Sequence, residues 1–204
     1  MTEARKQQEI AYRKSLIIDA ARVIFFDKGF ENSTMEDIAH KAGYSKGSLY
    51  SYFNSKNEIC FTIVNEYFSK IVDLIQAVSI EEVTGLKKLT LIRDAFIGEY
   101  SQNSHFCSIY KTFKYHQGRC VDTHNELNIN SSYSSRIRKL ITGIVQSGIS
   151  DGSIKGAVNV AELSKAFWNE NNCFLAETMF TDVNAYNYLF DLIIDSIRTQ
   201  EVNR

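Results

Sequence analysis

The sequence predicts an all-α protein, on three observations. Its 204 residues include no proline and only ten glycines, so little interrupts long helices. Apolar residues recur at the 3.6-residue period along most of the chain. Between Ser33 and Phe53, two short apolar stripes flank a turn built on Gly43, the pattern of a helix-turn-helix.

Residues 1–9 are polar and charged and are expected to form a frayed arm carrying Arg5 and Lys6. The first helix is expected from Ile10 to Lys28, with Leu16, Ala20, Val23 and Ile24 as its stripe and Gly29 as its end. Ser33 or Thr34 then caps a helix whose Met35, Ile38, Ala39 and Ala42 share one face. Glu36 and Asp37 sit at its positive end, and Gly43 closes it. Ser45 caps a further helix that turns Leu49 and Phe53 inward. Ser55 opens a long fourth helix, Lys56 to Val78, with Ile59, Ile63, Val64, Tyr67, Phe68, Ile71, Val72, Ile75 and Val78 in period. At about 1.5 Å per residue it spans on the order of 35 Å, enough to join two domains.

Beyond Glu81 the periodicity predicts further helices. One follows Gly85 through Leu86, Leu89, Arg93, Phe96, Ile97 and Tyr100. Another holds Phe106, Ile109, Tyr110 and Phe113 and ends near Gly118. Residues 119–133 are polar and without clean period, which reads as a loop or irregular helix. Ile137, Leu140, Ile141, Ile144 and Val145 mark the next helix, closed by Ser150-Asp151-Gly152-Ser153. The last two are expected at Val160–Phe180 and Val183–Gln200, the latter striped by Tyr186, Leu189, Phe190, Ile193, Ile194 and Ile197. That stripe calls for a partner surface.

The chemistry concentrates on the second helix of the motif. Its outward residues Lys46, Gly47, Ser48, Tyr50, Ser51 and Tyr52 are small, cationic or phenolic. Such a helix enters the DNA major groove. There Lys46 reaches guanine acceptors, and Ser48 and Ser51 reach base edges or phosphates. Tyr52 and Lys56 lie further along, where the helix passes the backbone, and suit phosphate oxygens. On composition alone, a helical hairpin with a solvated face fits equally well.

The run Ala42-Gly43-Tyr44-Ser45-Lys46-Gly47-Ser48-Leu49-Tyr50-Ser51-Tyr52-Phe53-Asn54-Ser55-Lys56 resembles the signature of the tetracycline-repressor (TetR) family of bacterial transcriptional regulators. The flanks agree: Ala20-Ala21, Phe25, Gly29-Phe30, Thr34 and Asp37-Ile38-Ala39. Tyr44 departs from the branched aliphatic usual in the turn. The resemblance covers about the first quarter of the chain. It implies a helix-turn-helix DNA-binding domain over residues 1–56 and a helical effector-binding and dimerisation domain over 57–204. It further implies a homodimer built on the last two helices, which binds double-stranded operator DNA and is released by a small organic ligand. The expected DNA-binding residues are Thr34, Ser45, Lys46, Gly47, Ser48, Tyr50, Ser51, Tyr52 and Lys56.

Charge distribution agrees with contact through one end. Residues 1–56 carry nine Lys/Arg against seven Asp/Glu, and residues 57–204 carry fourteen against seventeen, so a +2 head precedes a −3 body. No apolar run approaches 18 residues, so no membrane partner is expected and the expected location is the cytoplasm. The cysteines at 60, 107, 120 and 173 lack paired spacing. No catalytic motif is present, neither G-x-S-x-G nor H-E-x-x-H nor a dinucleotide glycine fingerprint, so neither an enzyme nor a cofactor is expected.

Two constellations bear on the effector. Aromatic residues cluster at Tyr100, Phe106, Tyr110 and Phe113. With Tyr67, Trp168, Asn171 and Phe174 they make a set of apolar walls with a polar group among them, the usual build of a ligand pocket. Ordinary core is the plainer reading of the same residues. Separately, His116, Cys120 and His124 recur at i, i+4, i+8, and with Cys107 they form the alternative of a metal- or redox-responsive regulator. Gly118 weakens the helix that would align them.

Overall fold

A computed structural model describes residues 2–102, 124–168 and 182–199. Among the described residues there are eight α-helices and no strand: α1 (Glu3–Lys28), α2 (Met35–Ala42), α3 (Lys46–Tyr50), α4 (Lys56–Ser79), α5 (Gly85–Gln102), α6 (His124–Ser150), α7 (Val160–Phe167) and α8 (Val183–Ile197). The chain divides into two compact units, with a boundary between Tyr67 and Phe68 inside α4.

In the first unit α1 packs on α2, and α2 on α3. The core takes Ile17, Ala21 and Phe25 from α1, Ile38 and Ala39 from α2, Leu49 from α3, and Ile59, Ile63 and Val64 from α4. Fully burying a side chain such as Leu49 or Ile38 contributes roughly 1.5–3 kcal/mol. Of the stripe expected on α1, Ala20 and Ile24 are buried while Leu16 and Val23 are exposed; Ile17, Ile18, Ala21 and Phe25 complete the inward face. The expected frayed arm is also helical from Glu3. Glu, Ala, Arg, Lys and Gln are all good helix formers, Thr2 accepts from the Arg5 and Lys6 amides at 3.0 and 3.1 Å, and Glu9 pairs with Arg13 one turn on. Across the unit, Arg22 bridges Asp19 at 2.7 Å and Glu66 at 2.6 Å, tying α1 to α4.

The second unit has its own core, with Phe68, Ile71, Val72 and Ile75 of α4, Leu89 and Ile92 of α5, Ile137, Ile141, Ile144 and Val145 of α6, and Ile154. Gly85 and Gly148 let α5 and α6 touch backbone to backbone. A Cβ on Gly85 would lie 2.3 Å from the Gly148 nitrogen. The turn after α6 caps the start of α5: Asp151 Oδ2 accepts from the Gly85 amide at 2.7 Å, and Ser153 Oγ from the Leu86 amide at 3.2 Å. These answer two of the amides that a helix start leaves without partners.

Three further boundaries and one face differ from expectation. Residues 124–133 are helical, because α6 begins at His124 and Tyr133 extends its packing by stacking on Phe68 at 6.0 Å. α7 stops at Phe167, where Trp168 turns to an extended φ of −148° and ψ of 107°. α8 stops at Ile197, and Arg198 forms an isolated bridge with Ile154. The stripe of α8 is largely engaged within the chain rather than left for a partner: Tyr186, Phe190, Ile194 and Ile197 are buried, with Phe190 5.4 Å from the Phe167 ring and beneath Arg93 at 5.1 Å. The apolar residues that α8 exposes are Tyr188 and Leu192. The helix expected around Phe106–Phe113 lies outside the described residues.

Candidate nucleic-acid interface

Capping fixes the two helices of the motif. The Thr34 hydroxyl accepts from the Asp37 amide at 3.1 Å, and the Asp37 carboxylate accepts from the Thr34 amide at 3.0 Å, a reciprocal capping box. Asp37 also receives Lys28 at 2.6 Å. The Lys28 ammonium first, and then Thr34, hold its carboxyl down at about 2. Gly43 takes φ 75° and ψ 25°, the left-handed conformation that ends a helix cheaply only with glycine. Ser45 Oγ then accepts from the Ser48 amide at 3.1 Å and starts α3.

With Leu49 and Phe53 buried as anchors, the other side of α3 faces outward. Ser45, Lys46, Gly47, Ser48, Tyr50 and Ser51 are exposed, as is Thr34, and Tyr52 is half-buried. This is the contiguous outward face that the sequence predicts. Four of its hydroxyls are partly engaged: Thr34 with Asp37, Ser45 and Ser48 with each other at 2.9 Å, and Ser51 by donating to the Ser48 carbonyl at 2.6 Å. Lys46 Nζ lies 3.4 Å from Glu36 Oε2, with both side chains more than half exposed. A surface pair of this kind contributes about 0–1 kcal/mol, so DNA can displace Glu36 at little cost.

Lys56 is positioned differently from the other motif cation. Its ammonium donates to the carbonyls of Phe30 at 2.7 Å, Glu31 at 3.2 Å and Ser33 at 3.0 Å, and sits 4.4 Å over the Phe30 ring. An ammonium has three donors, and all three meet backbone that leads into α2. In this arrangement Lys56 ties the start of α4 to the backbone ahead of α2.

The first helix adds cations that the sequence reading did not assign to this surface. The Arg13 guanidinium is held above its ordinary value by its bond to Glu9 and next by Tyr52, which sets it beside a residue expected on phosphates. Lys14 Nζ lies 5.0 Å over the Phe53 ring. The adjacent pair Arg13-Lys14 is the signal the sequence offers for these cations.

Residues 17–62 match the family model described as bacterial regulatory proteins, tetR family. The repressor KstR2 of Rhodococcus jostii (strain RHA1) is 24% identical over 192 residues, covering 92% of this chain and 86% of that protein. The fatty acid metabolism regulator protein of Bacillus subtilis (strain 168) is 26% identical over 156 residues, 76% of each chain. Residues 17–62 are thus similar to the tetR family, and the longer matches to its regulators are at about a quarter identity. Solved structures agree in fold. KstR2 of Mycobacterium tuberculosis superposes with a TM-score of 0.69 at 18% identity, covering 92% of this chain and 96% of that one. FadR of Bacillus subtilis in complex with stearoyl-CoA gives 0.64 at 19%, covering 90% and 99%. The protein is a DNA-binding transcriptional regulator, and α2 and α3 both lie within the matched residues.

Of the residues expected at the effector site, Tyr67 is half-buried and Trp168 is buried. Trp168 meets Phe68 edge-on at 6.1 Å. Among the described residues its indole N–H meets no acceptor. The side chain of Tyr100, together with Phe106, Tyr110, Phe113, Asn171 and Phe174, lies outside the described residues. So do Cys107, His116, Cys120 and the side chain of His124. Among the described residues, no three His, Cys, Asp or Glu side chains form a metal-binding group, and no helix is long and apolar enough to cross a membrane.

Proposed function

We propose that the protein is a repressor that holds operator DNA as a homodimer and releases it on binding a mainly apolar organic ligand with at least one hydrogen-bond acceptor. The observation that carries the reading is the capped, outward-facing α3. Lys46, Ser48 and Tyr50 are the base-reading set, and Thr34, Tyr52 and Arg13 are the phosphate set. Two-fold symmetry places half-sites about 34–36 Å apart or a multiple of that. α7 and α8 form the dimer contact, with Tyr188 and Leu192 as the exposed apolar residues of α8.

The ligand class is supported by chemistry and by likeness. Phe68, Tyr133 and Trp168 form an aromatic cluster in the second unit. A buried indole N–H without an acceptor costs about 1–3 kcal/mol, a cost that a ligand carbonyl or hydroxyl removes. Among relatives, one protein is named for fatty acid metabolism, and one neighbour was solved with stearoyl-CoA. Release requires the ligand to prefer the DNA-free state; shifting a two-state balance from 1:99 to 99:1 takes about 5.5 kcal/mol of differential binding.

The test is a genome-wide binding selection with purified protein, followed by titration of the selected DNA complex with long-chain acyl thioesters, sterol acids, zinc and copper. Release by an apolar organic ligand, with a change in Trp168 fluorescence, is the expected result. Release by zinc or copper alone would instead establish a metal-responsive regulator, and selection of no sequence would refute operator binding.

A further inference from the structure

Within the second unit an open cleft of about 520 Å³ is lined by α4, α5 and α6. Among the described residues that line it, the cations are Lys88, Arg136 and Lys139, and none is a carboxylate. Lys88 is only 9% exposed, yet one acceptor is seen for its ammonium, the Ser79 carbonyl at 2.8 Å. Arg136 donates one bond, to Gln76 Oε1 at 3.2 Å. Asp151, an acid near Lys88, already accepts from the Gly85 and Ser153 amides at 2.7 and 2.9 Å. Three cations therefore converge with donor capacity to spare.

The floor supplies a separate observation. Gly143 sits inside α6, where glycine costs about 1 kcal/mol against alanine. A Cβ added there would meet nothing within 4 Å, so helix packing does not demand the glycine. Its residue lines the cleft, and any longer side chain would begin to fill it.

We propose that this cleft binds the phosphate end of a small organic phosphate, held by Lys88, Arg136 and Lys139 over Leu140, Gly143 and Ile144. Phosphate is favoured over a single carboxylate because it brings up to two charges and three acceptor oxygens to three cations. The cleft volume lies within the roughly 300–1,000 Å³ of small-molecule sites and leaves room for an organic portion. This site is independent of the DNA reading.

Calorimetric titration of the full chain with pyrophosphate, ADP and citrate at matched ionic strength tests it. Wild-type protein should bind pyrophosphate saturably and more tightly than citrate, and ADP at least as tightly as pyrophosphate. Arg136→Gln/Lys139→Gln, both exposed positions, should weaken pyrophosphate binding by at least roughly tenfold, the effect of losing one charge-assisted hydrogen bond. Gly143→Phe should weaken it comparably by filling the cleft, while Gly143→Ala should retain it. Thermal melting and operator binding of each variant, followed in parallel, separate a lost site from a lost fold or a failed DNA reading. Equal affinity in wild type and both weakened variants, no saturable binding, or citrate binding as tightly as pyrophosphate would overturn the proposal. Exclusion of ADP while pyrophosphate binds would overturn its organic part.

Discussion

The two units use their polar side chains in opposite ways. In the first, many are engaged nearby: Thr34 with Asp37, Ser45 with Ser48, Ser51 with its own helix, Lys56 with three carbonyls. What faces outward is a narrow strip around Lys46, Ser48 and Tyr50, its lysine held only by a displaceable surface pair with Glu36. In the second unit, Lys88, Arg136 and Lys139 line one open space with no carboxylate among its described lining residues. A rigid reader of fixed geometry benefits from side chains locked by local bonds, whereas a ligand site benefits from donors left free. The contrast suggests how labour is divided, and it can be broken at several points.

The largest effect is expected on α8. Phe190→Ala should destabilise the second unit by about 3–5 kcal/mol, as buried aromatic truncations do, read by denaturant unfolding. Leu192→Asp, two residues on but exposed, should leave the melt nearly unchanged and yield monomers in sedimentation. If Leu192→Asp stays dimeric, the contact lies elsewhere.

Next comes Lys56→Ala. It removes three charge-assisted bonds at once and should cost about 1–3 kcal/mol of stability, while the slope of log operator affinity against log salt stays close to wild type. A fall in slope of roughly 0.9 with unchanged stability would make Lys56 a phosphate contact after all.

A smaller effect belongs to the capping box. Thr34→Ala should cost about 0.5–2 kcal/mol. Asp37 has a folded value of about 2, below its ordinary 3.8. Its contribution is therefore complete above about pH 4 and is lost as pH falls from there through 2. Asp37→Asn should flatten this part of the stability curve; an unchanged acid limb would show that the Lys28–Asp37 pair contributes nothing. Smallest of all, Lys46→Ala should change stability by no more than about 0.5 kcal/mol, since its pair with Glu36 is exposed.

The pattern of what was legible follows from range. Caps, the Gly43 stop and the outward face of α3 depend on residues three or four apart, and these the sequence displays directly. The inward turn of Lys56 depends on carbonyls more than twenty residues away, and a lysine in a binding motif carries no mark of that. The frayed arm expected before Ile10, and the loop or irregular helix expected over residues 119–133, both rest on polarity, whereas polar helix formers continue a regular helix well. The α8 stripe was legible as a stripe, but not what covers it: a partner protomer and the same chain's Phe167 and Arg93 impose the same pattern. The cationic cleft brings α4, α5 and α6 together across some seventy residues, and no local spacing announces it.

The central claim is that α3 reads bases through Lys46. The most direct test measures Lys46→Ala against the selected operator and its single-base variants at several salt concentrations. The account predicts an uneven loss, with preference at one base pair relaxed by roughly 1–3 kcal/mol and other positions read as before. A loss by the same factor on every sequence would contradict it, leaving Lys46 a phosphate contact and base reading to Ser48, Tyr50 or DNA shape.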